Sequence, residues 1–345
     1  MSMLIVASIG PASSVQDGGR FGAQRYGLTP SGAMDKLSLA AANSLIGNAP
    51  LAAAIEIGPF GATFTAKGGA VRVALAGAQR PADVAKRPVE LSTTVMLADG
   101  ETLTLGFARG GSFSYLAIEG GIAGEPTFGS LSVNARAGLG SPYPRPLQSG
   151  DSFTTKTAGE AHERRITLPA TVSGPIRVVL GPQDDEFTDE MKALFLDSDW
   201  KISATSDRMG YRLEGPAIRH LHGHNIVSDG TVDGSIQVTG SGAPIVLMAD
   251  RGTSGGYPKI ATVITADLGR LAQTPAGTGF RFKAIPITTA QAEARKFKEL
   301  LQRLPDHVSD IESTELRQEA LMTANVAGHA VSATDAATWQ AATPD

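Results

Sequence analysis

A chain of 345 residues, 42% of them hydrophobic, is long enough for a substantial core, and its length suggests two domains rather than one. A formal net charge of -4 with no Lys/Arg block along the chain gives no field for a polyanion, which argues against a nucleic-acid partner. The absence of cysteine excludes disulfides, cysteine-ligated metal and a thiol nucleophile, and it fits a reducing compartment, so cytoplasm is the default location.

The opening MSMLIVASIG is a short apolar run with no basic stretch before it, and it reads as a first strand rather than a leader. VQDGGRFGAQRYG follows as a glycine-rich bend. MDKLSLAAANSLIGN sets Met34, Leu37, Ala41 and Leu45 on one side of a helix, with Ser31 or Asp35 as cap and Gly47 just past its end. VRVALA, TLTLGF, FSYLAIEG, IRVVLG, SIQVTG, PIVLMA and IATVIT are branched runs of strand length bounded by turn residues. DLGRLAQ predicts a short helix with Asp267 as cap. TTAQAEARKFKELLQRLP predicts a longer one, capped by Thr288 or Thr289 and closed at Pro305. Beyond about residue 323 the chain turns Ala/Thr-rich and unpatterned, which predicts a loose tail. No run is long enough to span a membrane. The expected fold is mainly β, with few helices.

The halves echo each other in order. Asp17-Gly-Gly-Arg-Phe-Gly22 resembles Asp207-Arg-Met-Gly-Tyr-Arg212, IEIGPFGATF from Ile55 resembles IQVTGSGAPI from Ile236, and GDSFTTK from Gly150 resembles GTGFRFK from Gly277. Duplication gives two similar β barrels or sandwiches with a cleft between them, since ligand sites favour such interfaces. The implied division is a first β domain over 1–168, a second over 169–287, and a C-terminal helix and tail over 288–345.

Five stretches can carry chemistry. The first bend gathers Gln16, Asp17, Arg20, Gln24 and Arg25 among four glycines, where an Asp beside an Arg can orient a carboxylate or amide. Asn43 stands on an otherwise apolar helix, either as a substrate contact or as a buried amide pinning a loop. Ser206, Asp207, Arg208, Tyr211 and Arg212 repeat the Asp/Arg theme in the second half. His220, His222 and His224 alternate as a metal site would want, yet Gly223 interrupts them and no carboxylate adjoins them; no metal is assigned. RGTSGGYPK gathers Arg251, Thr253, Ser254, Gly255, Gly256, Tyr257 and Lys259 as an anion-binding or oxyanion-stabilising loop, the alternative being a type II turn with solvated charges. Its Gly252-x-Ser254-x-Gly256 pattern lacks the helix a nucleophile elbow needs. No phosphate loop, dinucleotide fingerprint or HExxH motif occurs.

VQDGGRFG, SGAMDKLSLAAANSLIGN, IEIG, SDRMGYRLEGP and MADRGTSGGYPKIATVITADLGRLAQ together resemble the allophanate hydrolase subunit 2 family. That group includes the biotin-dependent carboxyltransferase domain of urea carboxylase, the Kip sporulation-kinase antagonist and the C-type subunit of 5-oxoprolinase. The resemblance runs from about residue 4 to about 285 and implies two tandem cyclophilin-like β barrels. The stand-alone length is most similar to the 5-oxoprolinase type, which opens 5-oxo-L-proline to L-glutamate with ATP. It implies a subunit 1-like partner, of the kind that forms the B-type subunit in 5-oxoprolinase, and an amidohydrolase-like A-type subunit. ATP would be bound by this chain or the partner, with magnesium alongside.

On that reading Asp17, Arg20, Asp207, Arg208 and Lys259 are the catalytic candidates. Gln16, Asn43, Ser206, Gln237, Arg251, Thr253, Gly255, Gly256 and Tyr257 contact the substrate, and Asp250 can orient a cation or bind magnesium. Biotin enters only in the alternative of a carboxyltransferase half, and a non-catalytic regulatory binding module is the third reading. Gly129-Ser-Leu-Ser132 departs from the family's Gly-Ser-Arg-Ser, which implies a difference in specificity if that arginine reads the substrate.

Overall fold

Branched residues at strand length become strands wherever glycine or proline bounds them. Ser2–Ile9, Val71–Gln79, Thr102–Leu105, Arg109–Ile118, Ile176–Leu180, Ser235–Val238, Pro244–Leu247 and Lys259–Val263 all contain runs expected to be extended. The computed structural model describes residues 1–159, 161–170 and 172–311, so the tail expected to be loose lies outside the described residues.

The first half builds two sheets. In one, Ser2–Ile9 lies between Ser152–Thr155 and Ala62–Lys67, and the order continues through Thr102–Leu105, Ala82–Val84 and Arg87–Pro88. The other runs Ser14–Gln16, Ala54–Ile57, Arg109–Ile118, Val71–Gln79, Thr93–Leu97, Arg164–Ile166 and finally Val308–Asp310. The second half forms one eight-stranded sheet in which Ile176–Leu180 pairs with Lys259–Val263 on one side and, in parallel, with Phe282–Ala284 on the other. The fold is mainly β, with few helices, as expected.

The echo holds in order but not in pairing. Ser235–Val238 and Pro244–Leu247 make a hairpin, whereas their counterparts Ala54–Ile57 and Ala62–Lys67 belong to different sheets. Gly61 permits that crossing, because a Cβ there would lie 2.6 Å from the Leu105 carbonyl oxygen.

Helix α1 (Lys36–Leu45) is capped as one of the two expected candidates: the Asp35 carboxylate accepts from the amides of Leu37 and Ser38. Gly47 follows with φ 73°. Residues 38–45 of α1 are all buried, which places the helix as a plug rather than a surface element. One core cluster stays inside the first half, around Leu4, Phe64, Val73 and Leu103. The second spans the seam, joining Leu39, Leu45 and Tyr115 to Trp200, Phe195, Ile236 and Phe282.

The remaining helices correct the expectations. Helix α2 (Asp189–Asp197), capped by the Thr188 hydroxyl, is absent from the sequence reading; only Phe195 of its residues is buried, too few for an apolar stripe. Helix α3 (Leu268–Ala272) follows Asp267, but that carboxylate does not cap it. It accepts from the backbone and guanidinium of Arg177 and from Arg270, because a buried carboxylate gains more from two cations than from one amide. Helix α4 (Ile287–Arg303) starts behind Pro286 with no side-chain cap, so neither Thr288 nor Thr289 serves, and Pro305 sits inside the 3-10 turn Leu304–His307 that follows.

Gln273 and the chain's return after α4 are among the devices that join the halves besides the shared core. Gln273, which closes α3, uses every polar position of its amide on the first half. Its Oε1 accepts from the amides of Ser112 at 2.9 Å and Phe113 at 3.0 Å, and its Nε2 donates to Asp35 Oδ2 and the Phe113 carbonyl, both at 2.9 Å. The segment after α4 then returns to the first half, where Val308–Asp310 pairs with Arg164–Ile166. Replacing Gln273 by Ala orphans two backbone amides at the seam and is expected to destabilise the chain by about 2–4 kcal/mol. A lowered urea midpoint at unchanged slope is the expected outcome; an unchanged midpoint would show that the staple adds nothing.

Candidate functional site

The first bend is built to hold another loop. Gly19, at φ 105°, and Gly32, at φ 90°, let two turns touch: a Cβ on Gly32 would lie 2.9 Å from the Gly19 Cα. Asp17 accepts from the Gly19 amide at 2.8 Å, the Leu131 amide at 2.7 Å, the Ser130 hydroxyl at 2.8 Å and the Ser132 hydroxyl. Its carboxylate therefore fixes the segment that departs from the family pattern. Leu131, which stands where that pattern has arginine, packs against the first-half core.

Arg20 is 1% exposed and donates to the carbonyls of Thr127 at 3.2 Å and Ser132 at 2.7 Å. Burial pulls its pKa down, with Asp17 and Asp250 acting against the drop. The anticipated Asp17–Arg20 pair thus acts through field alone, without a direct hydrogen bond. Two buried atoms here have no partner among the described residues, Arg20 Nη1 and Gln16 Oε1, although Gln16 Nε2 is bound by Ser14 and Val133. They are one donor and one acceptor on the same bend, both shielded from solvent.

Several expected contacts are engaged elsewhere. Asn43 is fully buried and donates to the Ala52 carbonyl at 2.8 Å while accepting from Asn48 at 3.1 Å, so it pins the loop after α1 and has no free group for a substrate. Asp207, exposed, caps its own turn through the amides of Met209 and Gly210, and the Ser206 hydroxyl accepts from the Arg212 amide. Neither faces a cleft residue. The histidines lie in a loop rather than a strand; His220 contacts the Val238 carbonyl at 3.1 Å and its ring lies tilted against Phe187. Among the described residues no group of three His, Asp or Glu could hold a metal ion.

Arg208 crosses the seam. Its Nε and Nη2 grip Asp250 at 2.8 and 3.2 Å, Nη1 donates to Glu56 at 2.5 Å, and Nη2 also reaches the Gly32 carbonyl at 2.8 Å. Glu56 is fully buried, and its other oxygen accepts from the Met34 amide at 2.8 Å and the Tyr115 hydroxyl at 2.7 Å. Burial pushes the Glu56 carboxyl above its ordinary range against the pull of Arg208. Burial also opposes the Arg208 charge, but Glu56 and Asp250 outweigh it and hold the guanidinium firmly protonated. Glu56, Tyr115 and Gln273 are missing from the sequence-derived site. The signal was available for Glu56, a single acid inside the apolar strand IEI.

The RGTSGGYPK loop has buried cations rather than solvated ones: Arg251 is 3% and Lys259 1% exposed. Arg251 pairs with Asp233, and burial lowers its pKa against that pairing. Lys259 Nζ donates to Asp229 Oδ2 at 2.8 Å. Asp229 sits on a short ribbon, Asp229–Gly230 paired with Ser254–Gly255, and Asp233 lies just beyond it; between the two acids the Thr231 carbonyl accepts from Gln24 of the first bend at 2.9 Å. Gln24 also reaches the Thr253 carbonyl at 3.3 Å. Gly255 leaves room for Gln237, whose Nε2 would lie 2.3 Å from any Cβ there. Gly256 accepts the Ile226 amide through its carbonyl, and Tyr257 stays 37% exposed beside His224. A two-residue strand, not a helix, starts at Ser254, as expected of a loop that is no nucleophile elbow. The first bend, the Arg208 turn and the start of this loop therefore meet at the seam, and the ribbon leads from there to Lys259.

Removing one member of a buried ion pair leaves the other uncompensated. Arg208→Leu is expected to cost about 3–5 kcal/mol in urea unfolding, and adding Glu56→Leu should recover part of that loss. Additive losses in the double variant would show that the pair is not coupled.

Comparison with known proteins places this architecture. A family model described as "Carboxyltransferase domain, subdomain A and B" matches residues 26–284. The C subunit of 5-oxoprolinase from Escherichia coli (strain K12) is 36% identical over 309 residues, 88% of this chain and 99% of that protein. The protein of the same name from Haemophilus influenzae is 34% identical over 294 residues, 85% of this chain and 95% of that one. The crystal structure of the K. lactis urea amidolyase superposes with a TM-score of 0.78 at 26% identity, covering 86% of this chain but only 20% of the amidolyase. The chain belongs to the family of carboxyltransferase domains with subdomains A and B.

Proposed function

We propose that this chain is the C-type subunit of an ATP-dependent 5-oxoprolinase, opening 5-oxo-L-proline to L-glutamate with a B-type partner and an amidohydrolase-like A-type partner. The observation that carries the reading is the nearly end-to-end likeness to two proteins named as the C subunit of 5-oxoprolinase, covering 95% and 99% of their lengths. A five-membered lactam is a stabilised amide. Its carbonyl oxygen must be activated, for example by phosphoryl transfer, before water adds and the C–N bond breaks, and the charge that develops on oxygen needs donors already in place.

We assign the triphosphate and its magnesium to the partner chain, a reading supported by the charge pairing of the described residues. No metal-holding cluster occurs among them, and Arg208, Arg251 and Lys259 are each neutralised by a carboxylate. On this reading the nucleotide falls to the partner chain. Groups this chain has left for the lactam ring include Arg20 Nη1, Gln16 Oε1 and the ammonium of Lys259, which gives one hydrogen bond from three donors among the described residues. Arg208 and Asp250 act as positioning residues, holding the two halves in register around these groups.

A second reading, the carboxyltransferase half of a biotin-dependent urea or amide carboxylase, is favoured by the fit to the urea amidolyase structure. Reconstitution with the A-type and B-type partners separates the two. Release of glutamate from 5-oxo-L-proline with ATP hydrolysis is expected; turnover of urea with 5-oxo-L-proline untouched would overturn the first reading. In the same complex Arg20→Ala and Lys259→Ala are expected to lower kcat by about 100-fold or more, as loss of one preorganised donor does. Full activity in both variants would make the role of this chain regulatory rather than catalytic.

A further inference from the structure

Lys36 has no part in the networks above. It opens α1 and is partly buried, yet its ammonium makes no hydrogen bond or ion pair among the described residues; its nearest partner is the Phe21 ring at 5.1 Å. The amides of that helix end are already taken by Asp35, so the helix terminus itself offers nothing. Lys36 instead lines a cavity at the seam, walled by Met34, Met248, Leu268 and Phe297, with the exposed Thr265 on its solvent side. Asp233 also lines it, but that carboxylate is held by Arg251. Lys36 and Asp233 are thus the charged groups on an otherwise largely apolar wall, and because Asp233 is bound to Arg251 behind it, two cations share one carboxylate and Lys36 has no direct partner. Burial draws the Lys36 pKa down, Asp233 and Asp17 oppose the drop, and Arg251 adds to it.

We infer that this cavity seats the carboxylate of a small organic acid, with Lys36 as its counter-ion and the apolar walls against the acid's carbon skeleton. An unpaired cation in a low-dielectric wall gains most from an anion that can accept its hydrogen bonds. The space, ≈ 40 Å³, holds about three waters at roughly 10–15 Å³ each, which suits a carboxylate and the carbon bearing it while the remainder of the ligand lies toward Thr265. The Thr265 hydroxyl has no hydrogen-bond partner among the described residues and can serve that remainder. Resting on the 5-oxoprolinase reading, the acid is the lactam carboxylate itself, and Lys36 then sets specificity for an acid over a neutral lactam.

The test uses the reconstituted complex. Amine labelling by acetic anhydride, read residue by residue by mass spectrometry, is expected to slow at Lys36 when 5-oxo-L-proline or cyclopentanecarboxylate is present. Cyclopentanecarboxamide, which has the ring without the charge, should give no protection. Lys36→Met is expected to raise KM for 5-oxo-L-proline roughly 10- to 100-fold, the worth of one charged hydrogen bond, with kcat little changed and with partial rescue by Lys36→Arg. Protection by cyclopentanecarboxylate without turnover of 5-oxo-L-proline keeps the seat and removes the proposed substrate. Turnover with no protection at Lys36 and an unaltered KM in Lys36→Met keeps the function and overturns the seat.

Discussion

A carboxylate and a guanidinium removed from water between two β units govern this structure. Glu56 stands in the interior of a first-half strand with no solvent contact, and burying it alone would be prohibitive. Arg208 answers it from the second half and also holds Asp250, while Tyr115 with the Met34 amide fills the other oxygen of Glu56. Ion pairs of this kind are weak sources of stability but strict about geometry. Their effect here is registry: the halves can meet in one way, and the turns at Gly32 and Asp250 are fixed by the same guanidinium.

That registry explains why so many arginines at the seam are not free. The sequence suggests cations free to hold an anion, whereas in the structure Arg208, Arg251 and Lys259 are each matched to an acid. Chemistry at such a site depends on the few groups left over. On the proposed function those groups are a donor on Arg20, an acceptor on Gln16, spare protons on Lys259 and the unpaired ammonium of Lys36, which complement the N–H, C=O and carboxylate of a cyclic amide acid.

Much of the fold was legible because branched runs between glycines leave little choice but a strand. The cap at Asp35 and the turn at Gly47 were readable for the same local reason. What was not legible depended on tertiary partners. Asp267 looks like a helix cap until Arg177 arrives from a strand 90 positions away. Asn43 looks available until the loop at Ala52 folds over it. The Asp/Arg bends were found by their pattern, but their pairing was not, since Arg208 takes its acids from Glu56 and Asp250 rather than from adjacent Asp207. Lys36 went unnoticed because a lysine in the first turn of a helix is ordinarily a solvated charge.

The return of Val308–Asp310 to the sheet edge at Arg164–Ile166 has a bearing on how the molecule is made. A ribosome releases the amino-terminal β unit long before the residues that will finish its sheet, and until they emerge that edge stays an unpaired row of amides and carbonyls, a template for the wrong strand. Completion of one unit is thereby tied to synthesis of the other, and a nascent chain stopped short of this point would expose an adhesive border rather than a finished domain.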